Sequence, residues 1–324
     1  MAKKDTEGLN MPIFKTFIRN ILHVIRPRLK NIKYYSKCKF THCKNTNVLY
    51  FVFEPNKKHP GIADRIKAIL SCYDLAKSNG YNFKLYFETP FRLSEYLKQK
   101  NNWEIKSLTD LEYSVYDTKI INEYYREKPV ILKKNKQYHC YNYSGHHMPY
   151  TFPTTGYKFH DLFYELFDFS DKIKNEYKCL GIREGEYVSC HLRFVNALEK
   201  FENTFFENHL SKKEDRDNLI QKCKCGIKKV ISENKDKEVY VFSDSKTFLN
   251  SLSDLPVKVL DTSNIGHVSE ENKRDATFKS FLDLYVMSKG TRIYRFNAPE
   301  LYSISHYALL AARIGDIDFK DINV

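Results

Sequence analysis

Residues 48–88 read VLYFVFEPNKKHPGIADRIKAILSCYDLAKSNGYNFKLYFE, and this stretch decides the fold class. VLYFVFE is a short, continuous apolar run of the kind that forms a strand buried on both faces. In IADRIKAILSCYDLAKSNG the apolar residues return at helical spacing until Gly80 supplies a stop. NFKLYFE is a second strand. Strand, helix and strand in this order predict a parallel pair joined by a right-handed crossover. Ligands in such sheets bind beyond the carboxyl ends of the strands. That is where Gly61 stands, followed at once by Asp64 and Arg65. Glycine there is expected to turn the backbone tightly at a cleft where a side chain would obstruct substrate. Asp64 and Arg65 then open the helix facing that cleft, with an ion pair as the ordinary role for Arg65.

Working outward, FRLSEYLKQ reads as a short helix, and residues 104–158 as an irregular, tyrosine-rich surface containing HCYNYSGHHMPYTFP. FHDLFYELFDFSDKIKNEYKCLGI reads as one or two helices at a hinge. A second series follows: strand EYVSCHLRF, helix DRDNLIQKCKCGIKKVISEN, strand EVYVFSD, helix SKTFLNSL, strand VKVLD, helix DATFKSFLDLYVMSKG, strand RIYRF and helix SISHYALLAARIG. Two βα series of similar size predict an α/β protein with two Rossmann-like domains facing across a cleft. The expected division is a leader over 1–45, an N-terminal domain over 46–170 and a C-terminal domain over 171–324.

The 324 residues carry a net charge of +13, unevenly spread. Residues 1–45 hold eleven Lys/Arg against two acids, so +9 lies in the leader and only +4 in the rest. A nearly balanced globule with a basic leader is not the pattern of a nucleic-acid binder. Within the leader, Ile13, Phe14, Phe17, Ile18, Ile21, Leu22 and Ile25 share one helical stripe, with Lys15, Arg19 and Arg26 largely off it, and Pro27 ends or kinks that helix. Residues 11–33 are therefore expected either to touch an anionic membrane or to pack on the protein itself or a second subunit. No run is long enough to span a bilayer and no signal peptide is evident, so the expected location is cytoplasmic, peripheral at a membrane surface. The eight cysteines form no dense framework, and reduced thiols are expected.

In the second series three strand ends stand out. One carries His191 and Arg193, another Ser243, Asp244 and Ser245, and the last runs into Ser303 and Ser305 at a helix start. An arginine, a hydroxyl-bearing turn and a helix N-terminus converging in one domain suit a diphosphate. Asp244 or Asp283 could accept hydrogen bonds from ribose or base. Each also has an ordinary role: the serines as helix caps, the arginine in a surface ion pair.

GIADR, HLR, VFSDS and FLDLYVMSKGTRIYRFNAPELYSISHYALLAA occur in the order seen in the fucosyltransferase superfamily. Over residues 46–315 the chain resembles these inverting, metal-independent GT-B glycosyltransferases, which use GDP-fucose. The resemblance implies a C-terminal donor domain, an N-terminal acceptor domain, and a reaction that moves fucose to a glycan hydroxyl without a cofactor or metal. It implies that Gly61 and Arg65 line the cleft, that Arg193 binds the diphosphate and steadies departing GDP, and that His191, Ser243 and Asp244 lie at the donor. Asp283 then contacts guanine, and Ser303 or Ser305 the diphosphate. Glu199 and Glu202, downstream of Arg193, and Asp64 on the opposite wall are the candidate catalytic bases. His146 and His147 are candidate acceptor contacts. Phe194-Val195-Asn196 and NAPELYS depart from the family pattern, so another nucleoside-diphosphate sugar stays open as donor. A non-catalytic glycan- or membrane-binding module on a decayed transferase stays open as well.

Other chemistries fit poorly. The spacing of His139, Cys140, His146 and His147 matches no zinc pattern, and Cys223 and Cys225 point apart on a helix. The Asp-x-Asp at Asp316-Ile317-Asp318 lies past the last helix. No phosphate-binding G-x-x-x-x-G-K-[ST] loop and no G-x-S-x-G elbow exist.

Overall fold

The computed structural model describes residues 25, 28–55, 59, 61–121, 130–141, 156–199, 208–260, 274–302 and 305–324. A helix over residues 28–35, α1, leads into β1 (Val48–Val52). The quoted stretch then folds as expected: β1, α2 (Ile62–Ser78) and β2 (Asn82–Tyr86), with the strands parallel and in register from Val48↔Asn82 to Val52↔Tyr86.

The region expected to be irregular contains two further strands, β4 (Thr118–Ile121) and β5 (Gln137–Cys140), preceded by β3 (Leu97–Gln99). The first sheet is therefore four-stranded and parallel, in the order β2-β1-β5-β4. FRLSEYLKQ is not a helix. It forms one 3₁₀ turn at Leu93–Glu95 and then β3, which pairs antiparallel with β6 (Phe167–Phe169). The hinge stretch makes two helices on either side of β6, α3 (Phe159–Leu166) and α4 (Asp171–Cys179).

The second series builds β7 (Tyr187–Leu192), α5 (Lys213–Glu233), β8 (Glu238–Ser243), α6 (Lys246–Asn250), β9 (Lys258–Val259), α7 (Arg274–Ser288), β10 (Arg292–Asn297) and α8 (Tyr307–Gly315). An edge strand not foreseen, β11 (Asp318–Asn323), completes a parallel sheet in the order β11-β10-β7-β8-β9.

Alternation along each strand sorts the core. Tyr187, Tyr240, Phe242 and Ile293 point to one face of the second sheet, with α7, α8 and the helices of the first half. Val188, Cys190, Val239, Val241 and Tyr294 point to the other, under α5 and α6. Leu49, Phe51 and Phe53 of β1 join the first cluster, which thus runs continuously between the two sheets. Val48, Tyr50 and Val52 face the opposite way, onto Ile105 and Leu111. All eight cysteines are free thiols, and no helix among the described residues is long and apolar enough to cross a membrane.

Candidate functional site

In the second sheet β8 and β9 extend to one side of β7, and β10 and β11 to the other. The strand order thus reverses between β7 and β10, and the carboxyl ends at such a reversal are where open α/β sheets bind ligands. Arg193 stands at that point. Immediately after it the chain turns sharply, and Asp244 at the end of β8 holds the turn. Its Oδ1 accepts from the Phe194 amide at 2.7 Å and its Oδ2 from the Val195 amide at 2.8 Å. Val195 takes φ 56°, a left-handed conformation that a β-branched residue adopts only under constraint. Arg193 Nε lies 3.3 Å from the same Oδ2. The Asp244 side chain is 4% exposed and that of Arg193 22%, so the carboxylate is an internal clasp while the Arg193 side chain is partly open to solvent.

The rest of the β8 turn is taken up by helix capping. Ser245 Oγ accepts from the Phe248 amide at 3.1 Å and donates to Glu199 Oε2 at 3.0 Å. Glu199 Oε1 accepts from the Thr247 amide at 3.2 Å. Ser243 Oγ accepts from the Ser245 amide at 3.2 Å. Both oxygens of Glu199 therefore tie the loop after β7 to the start of α6. Glu202 lies outside the described residues.

On the β10 side, Arg295 holds Asp321 of β11 through Nε at 2.7 Å and Nη2 at 2.9 Å, and donates from Nη1 to the Ser305 carbonyl at 2.9 Å. The Tyr302 amide donates to the Arg193 carbonyl at 2.9 Å. The loop after β10 is thereby bound to the loop after β7. It delivers α8, whose N-cap is His306 and whose first residue is Tyr307. Ser305 thus precedes the helix instead of opening it, and Ser303 lies outside the described residues. The Tyr307 ring packs 5.6 Å from that of His191, and its hydroxyl donates to the Ser280 carbonyl of α7.

His191 is 95% buried, since only 5% of it is exposed, and its Nδ1 has no hydrogen-bond partner. Burial, with the Arg193 and Arg295 charges, pulls its pKa down to about 3, so the ring is a neutral imidazole. Asn297 Oδ1, at the end of β10, likewise lacks a partner. Burial raises the pKa of Asp283, against the opposing effect of Lys279, whose Nζ donates to both carboxylate oxygens at 2.8 and 2.7 Å.

The opposite wall is the start of α2. Asp64 accepts from Lys67 Nζ at 2.6 Å and lies 3.6 Å from His306 Nδ1, to which Lys67 also donates at 2.8 Å. Burial would raise the Asp64 pKa, but the neighbouring His306 and the Lys67 ammonium bring it below the usual carboxylate range. A chain of contacts therefore runs from Asp64 through His306 and Tyr307 to His191 and Arg193, joining the two halves at the first turn of α8.

Two expectations at this wall are corrected. Gly61 has φ −58° and ψ 165°, which any residue adopts, and a Cβ there would meet nothing within 4 Å. The fold itself does not demand glycine; the space beside it is open. Arg65 does not face the cleft but is fully buried, with Phe87 and Phe91 at 5.5 and 5.7 Å. His146 and His147 lie outside the described residues. Lys67, His306, Tyr307 and Asn297 were not singled out from sequence. His306, Tyr307 and Asn297 carried no signal beyond position at an element boundary, which many other residues share, and Lys67 none beyond lying on α2.

No family model matches the chain, and no curated protein matches it. Among solved structures, the α-1,6-fucosyltransferase NodZ co-crystallised with GDP superposes with a TM-score of 0.55 at 11% identity, covering 83% of this chain and 92% of that one. NodZ soaked with GDP-fucose gives 0.54 at 11%, with 83% and 93% covered. A NodZ structure from Bradyrhizobium gives 0.54 at 11%, over 83% and 93%. FUT1 of Arabidopsis thaliana in complex with GDP gives 0.51 at 9%, over 91% and 74%. The chain has the two-sheet, GT-B-like α/β fold of these fucosyltransferases.

Proposed function

We propose that the protein is a glycosyltransferase that moves fucose from GDP-fucose to a glycan hydroxyl, with inversion and without a metal ion. The observation that carries this reading is Arg193, set at the strand-order reversal of the second sheet and clasped from beneath by Asp244. A diphosphate there meets a guanidinium on one side and the N-terminus of α8 on the other. As the acceptor oxygen attacks the anomeric carbon, the bond to the β-phosphate oxygen breaks and its electron pair goes to GDP. Arg193 stabilises the charge that develops there. Residues 46–170 then hold the acceptor, with His146 and His147 among its contacts, and residues 171–324 the donor, with Asp283 at the guanine.

For the acceptor proton, Asp64 is the accessible candidate among the described residues, since Glu199 is committed to α6. The Asp64 side chain is 43% exposed and faces His306 across the junction. It is ionised at neutral pH, and its lowered pKa makes it a weak base that takes the proton only as the acceptor oxygen bonds to the anomeric carbon.

A second reading, transfer from a different nucleoside-diphosphate sugar, is favoured by one observation. Lys279 occupies both oxygens of Asp283, the carboxylate assigned to guanine. Incubation with GDP-fucose, GDP-mannose and UDP-glucose, reading nucleotide release with and without EDTA, separates these. Release from GDP-fucose that ignores EDTA supports the first reading. Release from another donor alone replaces it with the second, and release from none removes both.

A further inference from the structure

Helix α1 is docked by one face only. Tyr34 is buried with its hydroxyl 2.9 Å from His139 Nδ1, and Lys30 reaches Glu54 at 2.8 Å while lying over the Tyr141 ring at 4.5 Å. A helix lying on a sheet ordinarily turns polar residues outward. Here Ile25, Leu29 and Ile32, spaced four and three residues apart, are exposed, the last two by 58% and 67%. Just beyond the helix Phe40 is 80% exposed, its ring 6.4 Å from that of exposed Tyr116.

Charge says what this apolar surface meets. Arg28, Lys33, Lys37, Lys39 and Lys44 are exposed around it, and the chain has no acidic residue between Glu7 and Glu54. A symmetric contact with a second copy would set these cations against one another. An anionic lipid surface accommodates both features, with apolar side chains entering the acyl boundary and lysines at headgroup level.

We propose that the outer face of α1, together with the Phe40–Tyr116 corner, is a docking surface for an anionic bilayer. The surface stands independently of what the cleft binds. The test is co-sedimentation of the full chain with vesicles of phosphatidylcholine alone and of phosphatidylcholine with phosphatidylglycerol. The wild type is compared with Leu29→Glu/Ile32→Glu and with Lys33→Gln/Lys37→Gln.

Sedimentation is expected only with the anionic vesicles, weakening with salt. The glutamate pair abolishes it at unchanged Tm, and the glutamine pair lowers partitioning by roughly fivefold per cation removed. Equal binding to neutral vesicles, or binding that both variants leave intact, overturns the proposal. So does a wild-type dimer that the glutamate pair disperses, which would assign the face to a second copy. A fall in Tm on introducing the glutamates also overturns it, by showing that the chain covers the stripe itself.

Discussion

Replacing Asp244 with alanine removes the clasp beneath Arg193, and its cost can be worked from the contacts. Two backbone amides, of Phe194 and Val195, lose charged acceptors at 2.7 and 2.8 Å in a site where the carboxylate is 4% exposed. A buried donor left unsatisfied costs about 1–3 kcal/mol, so the pair contributes about 4 kcal/mol. The Arg193 ion pair adds less than ~1 kcal/mol. Against this, Val195 is released from its left-handed conformation, which returns about 1–2 kcal/mol. The net loss is about 3 kcal/mol in urea unfolding followed by tyrosine fluorescence. GDP affinity, read by calorimetry at a temperature where the variant is folded, falls more than about tenfold because the guanidinium is no longer held. Asp244→Asn, which keeps one acceptor oxygen, falls between. A loss below about 1 kcal/mol with GDP binding intact would refute the view that Asp244 shapes this turn.

Stability should fall on acidification through buried neutral histidines. His139 accepts from Tyr34 at 2.9 Å on Nδ1 and donates from Nε2 to Gln137 at 2.6 Å, and burial pulls its pKa down to about 3. The unfolded chain takes up the proton near pH 6.5, which the folded chain refuses until near pH 3. Stability present above the unfolded value is therefore lost as pH falls, by about 2 kcal/mol per such histidine between pH 7 and 5. His191 adds a second share. His139→Gln should remove one share from urea titrations at the two pH values, and an unchanged slope would contradict this. Separately, a Cβ on Gly315 would lie 2.2 Å from the Ser288 carbonyl oxygen, where the ends of α7 and α8 meet. Gly315→Ala is expected to cost about 2–3 kcal/mol, and a loss under about 0.5 kcal/mol would show that the contact yields freely.

The elements legible in the sequence were those whose apolar pattern is local. β1, α2 and β2 announce themselves because each buries a regular face, and so do β7, β8 and β10. β4 and β5 did not, because Gln137 and His139 interrupt the apolar run of β5, and their burial makes sense only once Tyr34 of α1 closes over them. β11 reads DFKDIN, with charges that look solvated. It becomes a strand through cross-strand pairs such as Arg292–Asp318 at 2.6 Å, which no spacing rule reveals. At the candidate site, Arg193 and Asp244 could be picked out because strand ends are legible. Their pairing depends on the β7–β8 register, where Leu192 stands beside Ser243. The Asp64–Lys67–His306 cluster joins residues about 240 positions apart through packing of α8 on α2, beyond the reach of local pattern. Gly61 stood out for its residue type, yet neither its backbone nor its surroundings require glycine.

Calorimetric titration of GDP into the wild type and Arg193→Ala, with EDTA present throughout, tests the donor site most directly. The wild type is expected to bind. The variant should lose roughly 30- to 150-fold in affinity, the worth of a charge-assisted contact to phosphate of about 2–3 kcal/mol, with its Tm little changed. Equal affinity in the two proteins, or no binding by the wild type, would contradict a nucleotide-sugar site at the ends of β7 and β10.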